Sequence, residues 1–436
     1  MIVELARLTL RAVQGKLAAQ MMRRYGIAAA LAASGLSGCA DVNKSLGSAE
    51  RAIAVVNSPT AKSVTSIAKA DNQGAAARGA LKHRGDVYAA NPQALVNDIR
   101  QAERDYQRLV GLLTGNVNRA WGKKETKLPT RTRYVKYTQN YMSRAAVDFD
   151  ASRITVETLD DKNPASSLKS AIVTTLLTPN DPRAVDLYTD RPVTLTSERE
   201  PYLKGLVLDQ HGREIGSPAE AEAFADYLAG KAANREVVTE RGKKNARYVE
   251  FAMVANLTNK QAEKFRTTVA KAASQYKVSQ SLVLAVIRTE SNFNPFAVSS
   301  APAYGLMQLV PASGGREATR RARGRDAVPT KEELFDAENN IELGAAYLSV
   351  LSFNQLEAIG NPISREYCVI SAYNTGPSNV LRTFNRNSPT QAINEINRLE
   401  PPAVYEKLRS SLPYVETRDY LQKVVGYRRQ FVTAGK

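Results

Sequence analysis

Cysteine and histidine are almost absent: the 436 residues hold two of each, and a single tryptophan. Cys39 and Cys368 could close at most one disulfide. His83 and His211 are too few and too far apart to build a zinc cluster or a Ser-His-Asp triad, so no metal is expected. No glycine-rich loop of the Walker or dinucleotide kind appears, so no cofactor is expected either. Runs of about 20 apolar residues are also missing, which argues against a helix that spans a membrane.

What is present is a basic chain, 60 Lys and Arg against 43 Asp and Glu, for a formal charge of +17. Such a surface favours anionic partners. The segment "MMRRYGIAAALAASGLSGCA" places the basic pair Arg23 and Arg24 before a short apolar run and then small residues, the pattern of a secretory signal. Its end, Leu36-Ser37-Gly38-Cys39, resembles the lipobox of bacterial lipoproteins. That resemblance implies that residues 1–38 are removed and that Cys39 carries lipid. The expected translation start is then Met21 or Met22, because residues 1–20 precede the signal. Ala40 follows the cysteine where an inner-membrane retention signal would place Asp, so the expectation is an outer-membrane anchor facing the periplasm. An exported chain rarely meets nucleic acid, and cell wall carboxylates and lipid phosphates are the nearer anions.

The length suggests two or three domains. Residues 39–84 are small and polar and read as a tether. In residues 85–258, Asn91-Pro92 opens a helix whose Leu95, Ile99, Ala102, Tyr106, Leu109 and Leu113 recur at helical spacing. Val147 and Phe149, then Ile154 and Val156, alternate as in a hairpin. "RYVEFAMVANL" adds a third strand and "SPAEAEAFADYLAGKAA" a further helix, giving an α+β accessory domain. From residue 259 to 436 the pattern is helix after helix. The arginine-rich "GGREATRRARGR" within it reads as a solvated loop.

One acidic position stands out in that last third. Ser279 is a good N-cap for "QSLVLAVIRTE", and Pro295 disfavours helix at Asn294, so a helix of about four turns should end near Asn292. Val283, Val286, Ile287 and Glu290 then share one face, the alternative being a C-terminal Glu that points to water. A carboxyl on a buried face has a raised pKa, as a general acid near neutral pH requires.

Glu290 also opens "ESNFNPFAVS", followed by "GLMQLVP", "NNIELGAAYL", "SAYNTGPSNV" and "VETRDYLQKV". In order and spacing these five motifs resemble the soluble-lytic-transglycosylase family of peptidoglycan-cleaving enzymes, glycoside hydrolase family 23. The resemblance spans residues 265–430, and residues 90–255 resemble the N-terminal domain of a membrane-bound branch of these enzymes. It implies a mainly α, lysozyme-like catalytic domain that cuts the β-1,4 bond between N-acetylmuramic acid and N-acetylglucosamine without water, leaving 1,6-anhydromuramyl ends. Glu290 would be the sole acid and base, the substrate's N-acetyl group replacing the second carboxylate of most glycosidases. Tyr373 would orient that acid, and Ser299, Met307, Gln308, Tyr347, Asn374 and Glu416 would bind the glycan. Two departures are Pro302, where relatives carry Gly, and Thr375, where they carry a smaller residue; these would stiffen one loop and narrow one subsite.

The implied partners are peptidoglycan glycan strands and, through Cys39, the membrane, with cell wall synthesis or division proteins left open. Two other readings remain at this point: a hydrolytic muramidase like goose-type lysozyme, and a non-catalytic wall-binding lipoprotein.

Overall fold

The computed structural model describes residues 92–193, 195, 200–240, 242–299 and 303–433. The signal, Cys39, the tether, His83 and Pro302 lie outside the described residues. Residues 102–436 form one compact unit, and of those before it only the opening of the first helix is described.

That helix, α1 (Pro92–Trp121), starts at the expected proline. A five-stranded antiparallel sheet follows, ordered β1 (Arg133–Thr138), β2 (Ser143–Asp148), β3 (Arg153–Thr158), β5 (Gly242–Ala252), β4 (Ala233–Thr239). The expected hairpin is β2–β3, in register Val147 to Ile154 and Ala145 to Val156. The expected third strand is β5, which ends at Ala252. Strands β1 and β4 escape the alternation rule for opposite reasons. In β1, four consecutive residues are buried, including Lys136, whose ammonium donates to the carbonyls of Asp186 and Thr189 at 2.7 Å each. In β4, an edge strand, most residues are exposed.

Between β3 and β4 lie α2 (Pro164–Leu176) and α3 (Pro218–Ala229), the latter opened by a capping box between Ser217 and Glu220. These two helices cover one face of the sheet around Ile154, Val156, Leu168, Ile172 and Phe224. The C-terminal turns of α1 cover the other face, where Leu113, Val117 and Trp121 meet Val135, Tyr137 and Val237.

From residue 257 onward the chain is helical: α4 (Leu257–Tyr276), α5 (Gln280–Ser291), α6 (Arg316–Arg323), α7 (Lys331–Phe335), α8 (Ala337–Val350), α9 (Pro362–Thr375), α10 (Pro377–Phe384), α11 (Pro389–Arg398), α12 (Pro401–Ser411) and α13 (Val415–Thr433). The chain is therefore α+β, a mixed part followed by a mainly α part with its own large core. The arginine-rich segment expected as a loop is instead helix α6, closed by Gly324 at φ 63°. Its charges are partly neutralised: Arg316 pairs with Asp326 at 2.5 Å and Arg323 with Glu333 at 2.8 Å.

Candidate active site

Helix α5 begins as the sequence predicts, with the Ser279 hydroxyl accepting from the Leu282 amide. It runs 12 residues, a little shorter than expected, with every residue from Ser281 to Ile287 buried. It ends because Asn292 and Phe293 turn to φ 46° and 59° before Pro295. Left-handed geometry is tolerable for Asn and costly for Phe, so something must hold it.

The holding groups come from the sheet-bearing part and from α4. The Tyr202 hydroxyl donates to the Phe293 carbonyl at 2.6 Å, and Gln261 donates to the Asn292 carbonyl at 3.2 Å. The Asn292 amide donates to the Phe149 carbonyl and to Asp150, both at 3.0 Å, and Asn294 donates to the Arg131 carbonyl at 3.0 Å. Phe296 completes the seam, its ring 4.8 Å from Tyr134 and 5.9 Å from Tyr202. The polar run after Glu290 is thus a plug set into the neighbouring sheet domain.

Glu290 sits in the last turn of α5, only 6% exposed. Burial pushes its carboxyl up to about 7. Tyr420 and Arg131 pull it down and Glu416 pushes it further up, without overturning the effect of burial. The carbonyl end of a helix also disfavours a negative charge there. The Arg131 guanidinium lies between two carboxyls, 3.6 Å from Glu290 and 3.7 Å from Glu416. Glu416, in the first turn of α13, is largely exposed. One turn further along α13, Tyr420 is buried with a hydroxyl that lacks a hydrogen bond of ordinary geometry yet faces Glu290 closely enough to favour its ionised form.

Tyr373, near the end of α9, is buried and its hydroxyl donates to the Met307 carbonyl at 2.9 Å. Its partner is therefore the backbone, not the carboxylate expected to receive it. Burial and then the nearby Glu290 raise the Tyr373 phenol well above its usual range. Tyr347 packs on Tyr373 with ring centroids 5.4 Å apart. Asn374 accepts from the Thr417 hydroxyl at 2.7 Å, which ties α9 to α13 beside the acid.

The remaining expected residues are placed differently. Met307 has no exposed surface and packs against Gly344 in the core, so the expected contact with glycan is corrected to a core contact. Gln308, at φ 46°, donates to the carbonyls of Ala297 at 3.2 Å and Gly305 at 2.9 Å, leaving its buried amide oxygen without a partner. Ser299 lines a groove of about 590 Å³ shared with Arg131, Arg288, Thr289, Lys423 and Tyr427. Thr375 is engaged by Asn379, whose amide donates to its hydroxyl at 3.0 Å.

Three residues near the site were not singled out from sequence. Asn340 receives the Met307 amide at 2.7 Å and donates to the Tyr304 and Leu334 carbonyls, holding the "GLMQ" turn in place. It sits in a motif already noted, as does Tyr420. Arg131 lies in no motif, and nothing in the local sequence announces it.

Two family models match this chain, one described as membrane-bound lytic murein transglycosylase C, N-terminal domain, over residues 88–264, and one as transglycosylase SLT domain over residues 267–396. A membrane-bound lytic murein transglycosylase C from Sodalis glossinidius is 42% identical over 323 residues, covering 74% of this chain and 89% of the relative. One from Shigella sonnei is 40% identical over 351 residues, covering 80% and 94%. Among solved structures, the 70 kDa soluble lytic transglycosylase of Escherichia coli is 26% identical with a TM-score of 0.30; the match covers 39% of this chain and 26% of that one. On the identity and coverage of its relatives, the chain belongs to the membrane-bound lytic murein transglycosylase C family.

Proposed function

We propose that Glu290 carries the chemistry of a peptidoglycan lytic transglycosylase, the activity that goes with membership of this family. The observation that carries the reading is a buried carboxyl pushed up to about 7 at the end of α5. Such a group is substantially protonated near neutral pH and can serve as acid first and base second. Its proton passes to the glycosidic oxygen between N-acetylmuramic acid and N-acetylglucosamine as the bond to C1 breaks. The resulting carboxylate then takes the proton of the muramyl 6-hydroxyl, whose oxygen bonds to C1. No water enters, and the product ends in a 1,6-anhydro ring.

In this reading Tyr373 and Tyr347 wall the acid off from solvent. Tyr373 acts through the Met307 carbonyl that it holds, and Gln308 shapes the turn that carries this carbonyl. Ser299 faces the groove as a glycan contact, while Glu416 and Asn374 frame the α13 side. Residues 85–258 serve as accessory domain and 259–436 as catalytic domain. The family's membrane association is assigned here to lipid on Cys39, with residues 1–38 removed and the body facing the periplasm from the outer membrane.

Digestion of purified sacculi followed by mass spectrometry tests the reaction. Products one water lighter than reducing muropeptides support it, and reducing ends alone would make the enzyme a hydrolase. Glu290→Gln should lower release by roughly 100- to 10,000-fold while leaving sacculus binding intact.

A further inference from the structure

The acid at residue 290 is supplied by the helical part of the chain, but one of its charged neighbours is not. Arg131 belongs to the segment that leads into β1, in the sheet-bearing part. Its backbone is fixed to the segment after Glu290 twice over, since its carbonyl accepts from Asn294 at 3.0 Å and the carbonyl of Thr130 accepts from the Val298 amide at 3.4 Å. The side chain is thereby brought over the end of α5. It stands 3.6 Å from Glu290 and 3.7 Å from Glu416, with 41% of its surface exposed. Both separations exceed the 2.7–2.9 Å of a tight charged hydrogen bond, so the guanidinium acts as a shared charge rather than as a bidentate clamp.

We propose that Arg131 is a positioning residue of the transglycosylase reaction: the accessory domain delivers its guanidinium between Glu290 and Glu416, orienting the acid and making proton transfer depend on how that domain is seated. This inference rests on Glu290 being the acid–base group. Its physical basis is that the two steps ask opposite things of one carboxyl. Protonation of the leaving oxygen needs a neutral acid, which burial provides. Once the proton has gone, a carboxylate stands in a buried site, and a cation at 3.6 Å stabilises it until the 6-hydroxyl proton arrives. Glu416 opposes this by repelling Glu290 and by sharing the same arginine. The charged and titratable groups facing Glu290 are then Arg131 from the β1 segment, Glu416 and Tyr420 from α13, and Tyr373 from α9.

The test is the pH profile of kcat/KM on solubilised glycan strands, using the full chain. The alkaline limb follows ionisation of the acid, so loss of a nearby cation moves it upward and loss of a nearby anion moves it downward. Arg131→Gln should raise the limb by about one pH unit and lower kcat. Arg131→Lys should keep the limb near its wild-type place. Glu416→Gln should lower the limb, and the Arg131→Gln/Glu416→Gln pair should return it toward wild type. Circular dichroism and urea unfolding report folding separately; the side chain is half-exposed and the seam bonds use the backbone carbonyl, so the variants should fold. A uniform fall in activity with an unmoved limb in Arg131→Gln, or limb shifts of the same sign in the two single variants, overturns the proposal. If Glu290→Gln still releases muropeptides, the acid–base reading fails and this inference falls with it. If Glu290→Gln is inactive but the Arg131→Gln limb stays put, only the inference fails.

Discussion

Glu290→Gln should make the protein more stable at alkaline pH while removing its activity. The glutamine keeps the shape of the carboxyl and stays neutral, so it mimics the protonated acid at every pH. In the unfolded chain Glu290 ionises near its ordinary 4.5; in the fold burial pushes it up to about 7. Because the folded value is the higher one, the folded protein holds the proton more tightly. The stability that this supplies is complete below about 4.5 and is lost as pH rises to about 7. Each pH unit of separation corresponds to about 1.4 kcal/mol, so the full loss is about 3 kcal/mol. Glu290 is almost wholly buried, and solvent screening takes little from that figure.

The assay is urea unfolding of wild type and Glu290→Gln at pH 4, 6 and 8. The difference in unfolding free energy between them should be near zero at pH 4. It should grow through pH 6 and level off at about 3 kcal/mol in favour of the glutamine by pH 8. A constant difference across the series would mean that the carboxyl ionises alike in folded and unfolded chains. A difference that turns in favour of wild type as pH rises would mean that Arg131 dominates over burial and holds the group ionised. Either result refutes the buried neutral acid on which the mechanism depends.

Other substitutions probe the surroundings of this group. Tyr420→Phe removes a buried hydroxyl that favours the Glu290 carboxylate, so the alkaline limb of kcat/KM should move upward with a fall in kcat. Tyr373→Phe leaves the buried Met307 carbonyl without its 2.9 Å donor; it should cost about 1–3 kcal/mol in urea unfolding and lower kcat through displacement of that turn. In Gly305→Ala the new methyl would lie 2.3 Å from the Leu334 carbonyl oxygen at φ 75°, so about 2 kcal/mol or more of stability should be lost. Thermal melts of that variant should move down even with an intact Glu290.

The sequence discloses what is local in this architecture. Ser279 as cap, Pro295 as stop and the face shared by Val283, Val286, Ile287 and Glu290 are set by residues within about four turns of one another, and α5 follows them. The hairpin β2–β3 is legible because its two strands are adjacent in the chain and pair directly, Val147 with Ile154 and Ala145 with Val156. Strand β1 is not, since burial on both faces erases alternation, and Lys136 disguises it further until the carbonyls of Asp186 and Thr189 receive its charge. Helix α6 hides behind like charges whose partners, Asp326 and Glu333, lie beyond it. Tyr420 and Arg131 act on Glu290 across distances in the chain that no periodicity records.

That pattern bears on why a carboxylate is followed by Ser, Asn, Phe, Asn and Pro. A buried acid at a helix end is doubly disfavoured when ionised, by desolvation and by the helix carbonyls, and a loose end would let it swing into water and lose its raised pKa. Each following residue prevents this. Ser291 donates to the Leu306 carbonyl at 2.8 Å, Asn292 and Asn294 reach the sheet domain, and Phe293 is pinned by Tyr202 in a backbone geometry that it would not adopt alone. Gln308 and Asn340 then fix the facing turn, where Met307 offers its carbonyl to Tyr373. The strained plug is stable only while the sheet domain holds it. Asn294→Ala, which frees the Arg131 carbonyl, should therefore weaken the acid–base function. It should lower kcat with little change in KM, and an unchanged kcat would show that the acid keeps its place without the seam.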